Sequence, residues 1–357
     1  IGSEVVASAV RCGTHYADLT AEIPWVLSMH DKHAKDAIKN GVKIVHSAGF
    51  DSQPSDLSVF LLAKQAREKY GVGLKEVWTL AGPAKGGFSG GTIESLLTAC
   101  YENGDREMRE RSSGLYCLAE ASGATGGVQP VAAAAAAAAA SPRGLLPRFV
   151  GPASTWTAPF VMSFINERVV RRSMALMPQL YGGEGEGGGS GSSSSSSSSP
   201  PPPRVTEGQA LPNLFAAALV SSIMGFGALL CKLPPFRALV RAVAPKQGSG
   251  PSDELCKGGN WRIDAVGVTQ PDKSGKTHVV RSVAQDANRD PGYWGTSRML
   301  VEIGVAMATQ SEELERAGCL KGGFLTPATA GGTVLVERLN RAGMRFEAVD
   351  EEDKKSA

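Results

Sequence analysis

The sequence predicts an α/β fold, and two observations predict it. Along the first hundred residues, short apolar β-type runs alternate with longer helical ones, each change marked by glycine. That is the pattern of βαβ crossovers on a parallel sheet covered on both faces. Further on, the runs 261–268 and 277–284 flank a turn-rich segment, Gln270-Pro271-Asp272-Lys273-Ser274-Gly275. This predicts an antiparallel hairpin, and so a second, mixed α/β region. A chain of 357 residues leaves room for one large or two ordinary domains.

In order, the N-terminal pattern predicts a helix over 4–12, a strand over 15–19, a helix over 24–40 and a strand over 42–46. A helix over 55–70, a strand over 74–80 and a helix over 91–102 follow. Composition then changes. The stretch 123–158 contains an unbroken alanine run, Ala132 to Ala140, whose uniform methyl groups specify no packing partner and read as a low-complexity insertion. A second biased stretch, 182–210, is too polar and too rich in Gly, Ser and Pro to bury a core, and reads as a disordered linker. Between them lies a helix over 159–177 with Phe160, Val161, Phe164, Ile165, Val169 and Met174 on its apolar side. Glu167, Arg168, Arg171 and Arg172 gather on the other. These arginines read either as a grip for phosphate or acidic lipid, or as a solvated helix face.

The run 214–231 carries no charge and is followed by Lys232, Pro234, Pro235, Arg237 and Arg241. Three readings stay open for it: a membrane span, a monotopic lipid-surface hairpin stopped by the proline pair, or a buried helix. The basic residues after the run favour an interfacial anchor. The chain closes with the hairpin, a helix over 296–309, a helix over 333–342 and a strand over 345–349.

Lys and Arg (37) nearly balance Asp and Glu (35), for a formal charge of +2, and this argues against a dedicated nucleic-acid binder. The six cysteines are scattered, with no C-x-x-C pair and no His at zinc-ligand spacing, so neither metal nor disulfide framework is expected. The scatter fits a reducing intracellular compartment. The chain opens at Ile1 directly on a helical run, and reads as a chain missing its beginning.

One G-x-G-x-x-G match exists, Gly183 to Gly188. It has no preceding strand, carries two acidic residues that would repel phosphate, and is compositional. More informative is Ser47-Ala48-Gly49-Phe50-Asp51-Ser52-Gln53-Pro54-Ser55-Asp56, between a predicted strand and a predicted helix. Gly49 permits a tight turn, and Ser55 or Asp56 can cap the helix. Such a junction lies at the carboxyl edge of the sheet, where open α/β sheets bind ligands, so Asp51 reads either as a candidate for proton handling or for binding substrate, or, with Asp56, as a turn and cap former only. His15 and Tyr16 read either as acid or base, or as the ends of a packed strand. The loop Gly86-Gly87-Phe88-Ser89-Gly90-Gly91-Thr92 offers backbone N–H groups to an anion, or is a plain connector.

Seven ordered blocks then resemble the saccharopine dehydrogenase-like oxidoreductases, a group that includes bacterial trans-acting enoyl reductases. They are His15 to Glu22, Gly49 to Asp56, Gly87 to Thr92, Pro159 to Met162 with Asn166 to Ser173, Gly250 to Ser252, Asp290 to Tyr293 and Leu325 to Ala328. The resemblance spans nearly the whole chain outside the two biased stretches. It implies a Rossmann-like NAD(P)-binding part, here an incomplete parallel sheet without its phosphate loop, and a mixed α/β second domain. The expected layout is 1–56 for the Rossmann-like part, 57–122 for the start of the second domain, and 159–181 for its helix. An apolar, membrane-associated segment follows at 211–245, the hairpin lies at 246–290, and 291–357 returns to the first domain.

Together, junction geometry and resemblance imply an NAD(P)-dependent oxidoreductase acting on a lipid or lipid-linked substrate. Asp51 or Tyr16 would handle the proton, Gly49, Phe50 and Ser52 would meet the cofactor, NADP or NAD, and Ser89, Gly90, Gly91 and Thr92 would bind the substrate. The family's animal members are associated with lipid droplets and membranes, which implies a peripheral location for the chain. The alternative is a non-catalytic lipid-surface protein on a degenerate Rossmann scaffold. Oligomeric state is not legible.

Overall fold

In chain order the N-terminal elements are α1 (Gly2–Cys12), β1 (Tyr16–Ala17), α2 (Ile23–Lys39), β2 (Lys43–Val45), α3 (Gln53–Tyr70), β3 (Leu74–Ala81), α4 (Gly90–Tyr101), α5 (Arg106–Ser113) and α6 (Cys117–Glu120). The middle holds β4 (Arg148–Val150), β5 (Thr155–Ala158), α7 (Ser163–Leu176), α8 (Pro178–Tyr181), β6 (Arg204–Leu211), α9 (Leu214–Leu230), α10 (Pro234–Val243) and α11 (Asp253–Lys257). The chain ends with β7 (Trp261–Thr269), β8 (Val279–Asp286), α12 (Thr296–Thr309), α13 (Ser311–Arg316), β9 (Gly323–Leu325), α14 (Pro327–Arg341) and β10 (Arg345–Val349). This is a computed structural model, and it describes residues 1–87, 89–101, 106–121, 146–182, 202–246 and 248–350. The alanine run and the Gly183 to Gly188 match lie outside the described residues.

Two sheets result, and the fold class is the expected one. The first is parallel, in the order β1-β2-β9, with Ile44 opposite Tyr16 on one side and Phe324 on the other. Its middle strand is buried throughout, as a parallel strand covered on both faces should be. Its third strand, Gly323 to Leu325, comes from late in the chain and pairs with Lys43 to Val45. The second sheet is mixed, in the order β10-β8-β7-β3-β6-β5-β4, and only β3 and β6 run parallel within it. The predicted hairpin is there as β7 and β8.

Three expectations need correction. The strand at 74–80 does not extend the parallel sheet; it sits inside the mixed one, where Trp78 lies opposite Thr206 and Val266. The described end of the 123–158 insertion is structured as well, since Phe149 and Trp156 pair across β4 and β5 and their rings meet at 5.5 Å. Finally, the end of the 182–210 linker is strand β6, with Val205 buried and Glu207 inside the sheet. A composition-weighted reading missed β6 because its Arg-Val-Thr-Glu-Gly-Gln register is half polar, and those polar groups are satisfied by partners far away in sequence.

Helix α3 is the axis of the molecule. Nearly all of 53–66 is buried, so the helix has apolar contacts all round rather than on one stripe. It packs on β7, β8 and β10 on one side and on α7 and α14 on another. Gly71, at φ 69°, ends it in the left-handed region that glycine enters without a Cβ clash. Leu57, Phe60, Trp261, Ile303, Leu325 and Leu335 form the core that fuses the two sheets.

Helix α7 overturns both readings of its arginines. Arg168 donates to the carbonyls of Gly114 and Ser113 at 3.0 and 2.8 Å. Arg171 pairs with Glu167 at 3.0 Å and donates to Val205 O at 2.8 Å. All three guanidinium groups, Arg172 included, are buried, so this face is neither solvated nor open to phosphate. It holds neighbouring backbone together.

Candidate functional site

The carboxyl edge of the parallel sheet collects the side chains with chemistry. From the end of β1, Tyr16 donates from its hydroxyl to Asp18 Oδ2 at 2.9 Å, and Thr20 N donates to Asp18 Oδ1 at 3.0 Å. From the end of β2, His46 Nδ1 faces both Asp18 oxygens at 3.0 and 2.9 Å. A carboxylate opposite Nδ1 holds a ring proton there. The Nε2 is buried and has no hydrogen-bond partner among the described residues. Trp25, Phe324 and Tyr16 surround the imidazole at 5.3, 5.7 and 6.1 Å between ring centroids.

Next in the chain, Ser47 adopts φ 52°, a left-handed conformation rare for a side-chain-bearing residue and found preferentially at functional turns. Its hydroxyl donates to Thr20 O at 2.7 Å, which holds the turn. A small cavity of about 20 Å³, room for a water molecule, is lined by His46, Ser47, His30, Arg172 and Thr326. Burial, with Arg172 next to it, pushes His30 down to about 3, so its ring is neutral.

Asp51 lies just past this turn. Burial raises its carboxyl to about 6, and the charge of Asp18 adds to the shift. A carboxyl so placed can carry a proton near neutral pH and release it within the working range. Tyr16 behaves otherwise: burial, then the Asp18 charge, hold its phenol well above the usual range. It is a fixed hydrogen-bond donor that positions Asp18 rather than an exchanging acid. His15, on the opposite end of β1, accepts from Lys43 N at 3.2 Å, and burial followed by the Lys43 charge lowers it.

The other sequence candidates divide. Gly49 is a close approach, since a Cβ there would lie 2.7 Å from Leu19 Cδ2 and from Thr296 Cγ2. Phe50 N donates to Thr296 Oγ1 at 3.1 Å, and its ring meets Trp261 at 5.2 Å. Ser52 is fully buried and donates to Asn166 Oδ1 at 2.9 Å. Ser89 accepts from Thr92 N at 2.9 Å and so caps α4, while Gly90 N donates to Ser249 O at 3.3 Å. The structure brings 49–50 and Gly86 against opposite parts of the 290–296 segment. Residues 89–92 instead face 245–249, where a Cβ on Gly90 would meet Lys246 O at 2.4 Å.

Asp56 is not the cap of its own helix. Its Oδ2 accepts from Ala328 N at 2.8 Å and its Oδ1 from Ser173 Oγ at 2.5 Å, so it closes the first turn of α14 and ties that turn to α7. Ser55 donates to Glu207 Oε1 at 2.6 Å, and Thr79 donates to the same oxygen at 3.2 Å. Burial pushes Glu207 up to about 7, and the nearby Glu167 adds to it. The folded state therefore holds a proton that the unfolded state releases near 4.5, and stability falls as pH rises between these values. Glu207→Gln is expected to shift the stability difference in the variant's favour by about 3 kcal/mol from pH 4.5 to pH 8. Urea unfolding at the two pH values checks this; a difference independent of pH would exclude a buried, protonated Glu207.

Sequence reasoning passed over the His46–Asp18 pair. The available signal was a histidine ending one predicted strand and an aspartate ending the other, two strands whose carboxyl ends meet once the sheet is parallel. Among the described residues, no three His, Cys, Asp or Glu side chains gather at metal-binding distances.

No family model matches the chain. It is 35% identical over 357 aligned residues to a Mycobacterium tuberculosis protein named as a trans-acting enoyl reductase, covering 97% of this chain and 76% of that one. It is 31% identical to the trans-acting enoyl reductase of Mycobacterium ulcerans, covering 96% and 76%. Among solved structures, apo saccharopine dehydrogenase (L-Glu forming) from Saccharomyces cerevisiae aligns over 98% of this chain and 82% of its own, with 12% identity and a TM-score of 0.44. These relatives are reductases, and the class they define is that of the oxidoreductases. The chain belongs to the trans-acting enoyl reductase family.

Proposed function

We propose that the chain works as an NAD(P)H-dependent enoyl reductase on a lipid or lipid-linked substrate, with Asp51 as the proton donor. The observation that carries this reading is a half-buried carboxyl raised to about 6 at the carboxyl edge of a parallel sheet, in a chain with enoyl reductases as relatives.

The dinucleotide is a poor fit to the loops described. The glycine-rich strand-to-helix loop after β3 is filled by the chain itself: a Cβ on Gly86 would lie 2.9 Å from Pro291 and one on Gly87 2.7 Å from Pro251. No room is left there for pyrophosphate, and the cavity beside His46 is far too small for a nicotinamide ring. In this turn Phe50 and Asp51 are the partly exposed residues, and they would meet the reacting end alone. Saturating an enoyl C=C needs a hydride at one carbon and a proton at the other; Asp51 supplies the proton, and its carboxylate is reprotonated from solvent. The Tyr16–Asp18–His46 chain of hydrogen bonds fixes the turn that carries Asp51, and the Asp18 charge keeps Asp51 protonated to higher pH.

The test follows nicotinamide absorbance with a 2-enoyl thioester and the chain, alongside fluorescence titration of NADPH and NADH. Substrate-dependent oxidation of one nucleotide is the expected result. If neither nucleotide binds, hydride transfer falls, and the lipid-surface scaffold, supported by the exposed Phe215, Leu219 and Phe226 of α9, takes its place.

A further inference from the structure

Helix α9 contains no charged residue, yet only Ala217 and Ser221 on it are buried. They set it against the edge strands β4 to β6. Phe215, Leu219, Ile223 and Phe226 recur at i, i+4, i+8 and i+11 along the other side and are exposed, Phe215 at 85% and Phe226 at 67%. The chain then turns through 113° into α10, where Leu239 and Val243 are also exposed. A buried core helix, one of the three sequence readings, is excluded by this exposure. A single-helix span is excluded too: 17 residues rise about 25 Å against a hydrocarbon core of about 30 Å, and no helix among the described residues is long and apolar enough to cross by itself.

The charge around the pair is one-sided. Between Glu207 and Asp253 the sequence has no acidic residue, while Lys232, Arg237, Arg241 and Lys246 all fall in the turn, in α10 and just after it. Arg241 pairs with Glu94 at 2.6 Å, and Arg237 donates to the carbonyls of Cys231 and Lys232 at 3.0 Å. Lys232 and Lys246 are exposed at the two ends of α10. Large apolar side chains flanked by cations, on helices too short to span, are the chemistry of an interfacial element on an anionic bilayer.

We propose that α9 and α10 form a monotopic docking element that lays Phe215, Leu219, Ile223 and Phe226 into the headgroup boundary of an anionic phospholipid bilayer, with Lys232 and Lys246 on the headgroups. Gly90 N bonds Ser249 O, just beyond α10, so docking holds the 86–92 loop and the 290–296 segment behind it at the membrane surface. This inference is independent of the enzymatic reading.

The full chain is floated with phosphatidylglycerol–phosphatidylcholine vesicles and with phosphatidylcholine alone. The wild type is expected to float with the anionic vesicles, and added salt should weaken binding as it screens the lysines. Phe215→Glu/Leu219→Glu/Phe226→Glu should lower vesicle affinity by more than about 100-fold while keeping the parental thermal transition, since all three side chains are already solvent-exposed. Lys232→Glu/Lys246→Glu should abolish the preference for the anionic vesicles. Flotation unchanged in the triple variant overturns the proposal. So does a wild type that stays with the dense fraction and sediments as a dimer which the triple variant converts to monomer, because a second copy of the chain would then cover this face.

Discussion

Asp51→Asn is expected to lower kcat/KM for enoyl reduction by about 10² to 10⁴-fold, the usual contribution of a positioned general acid, while leaving the fold intact. The pH profile is the decisive part. A proton donor raised to about 6 by burial makes the wild-type kcat/KM fall about tenfold per pH unit above that value, because the active form is the protonated one. The asparagine variant should lose that limb along with the activity. Stability should move the other way. The folded carboxyl binds its proton more tightly than the unfolded one, so its ionisation costs stability as pH rises from 3.8 to about 6. Removing the charge therefore makes the variant at least as stable as the wild type above pH 6. Steady-state kinetics between pH 5 and 9 with paired thermal melts check both halves. Activity retained with the same descending limb would move the proton donor elsewhere, and His46→Gln would then be the variant to measure.

The legible parts of the fold were those whose cause is local. The strands around Ile44 and Tyr16 show in their apolar runs, the β7–β8 hairpin shows in Gln270 to Gly275, and Asp51 shows as a polar residue in a glycine turn between a strand and a helix. What stayed hidden depends on partners distant in sequence. Strand β3 reads as one more strand of a βαβ series; only its pairing with Thr206 and Val266 assigns it to the other sheet. Asp56 reads as a helix cap because the partner it actually closes, Ala328 N, lies 272 residues away. Burial of the arginines on α7 was unreadable for the same reason: a charged helix face is solvated by default, and only the carbonyls of Gly114, Val205 and Phe324 make it otherwise.

Arg172 shows how far that burial can be pressed into a prediction. It donates through Nε to Phe324 O at 2.9 Å and through Nη2 to the same oxygen, while Nη1 reaches Leu118 O at 2.5 Å and Nη2 lies 3.2 Å from His30 Nε2. Strand β9 ends the three-stranded sheet, so this guanidinium closes a carbonyl on the sheet's outer strand and ties it to α6 and α2. Among the described residues no carboxylate pairs with it, and burial lowers it to about 10. Two effects therefore oppose each other. Arg172→Ala opens a cavity worth about 2–5 kcal/mol and leaves the Phe324 and Leu118 carbonyls unpaired at about 1–3 kcal/mol each. It also relieves a buried cation whose lowered pKa corresponds to about 3 kcal/mol. The middles of these ranges leave a net loss of about 4 to 5 kcal/mol. Arg172→Met fills most of the volume and removes the same charge but leaves the same two carbonyls unpaired, so the roughly 4 kcal/mol they cost is set against about 3 kcal/mol of relieved charge and its loss should be about 1 kcal/mol. Urea unfolding of the two variants separates the contributions. Equal losses would mean that the hydrogen bonds to Phe324 and Leu118 outweigh the cavity. Two losses near zero would mean that the α7 guanidinium is not what holds β9 against α6.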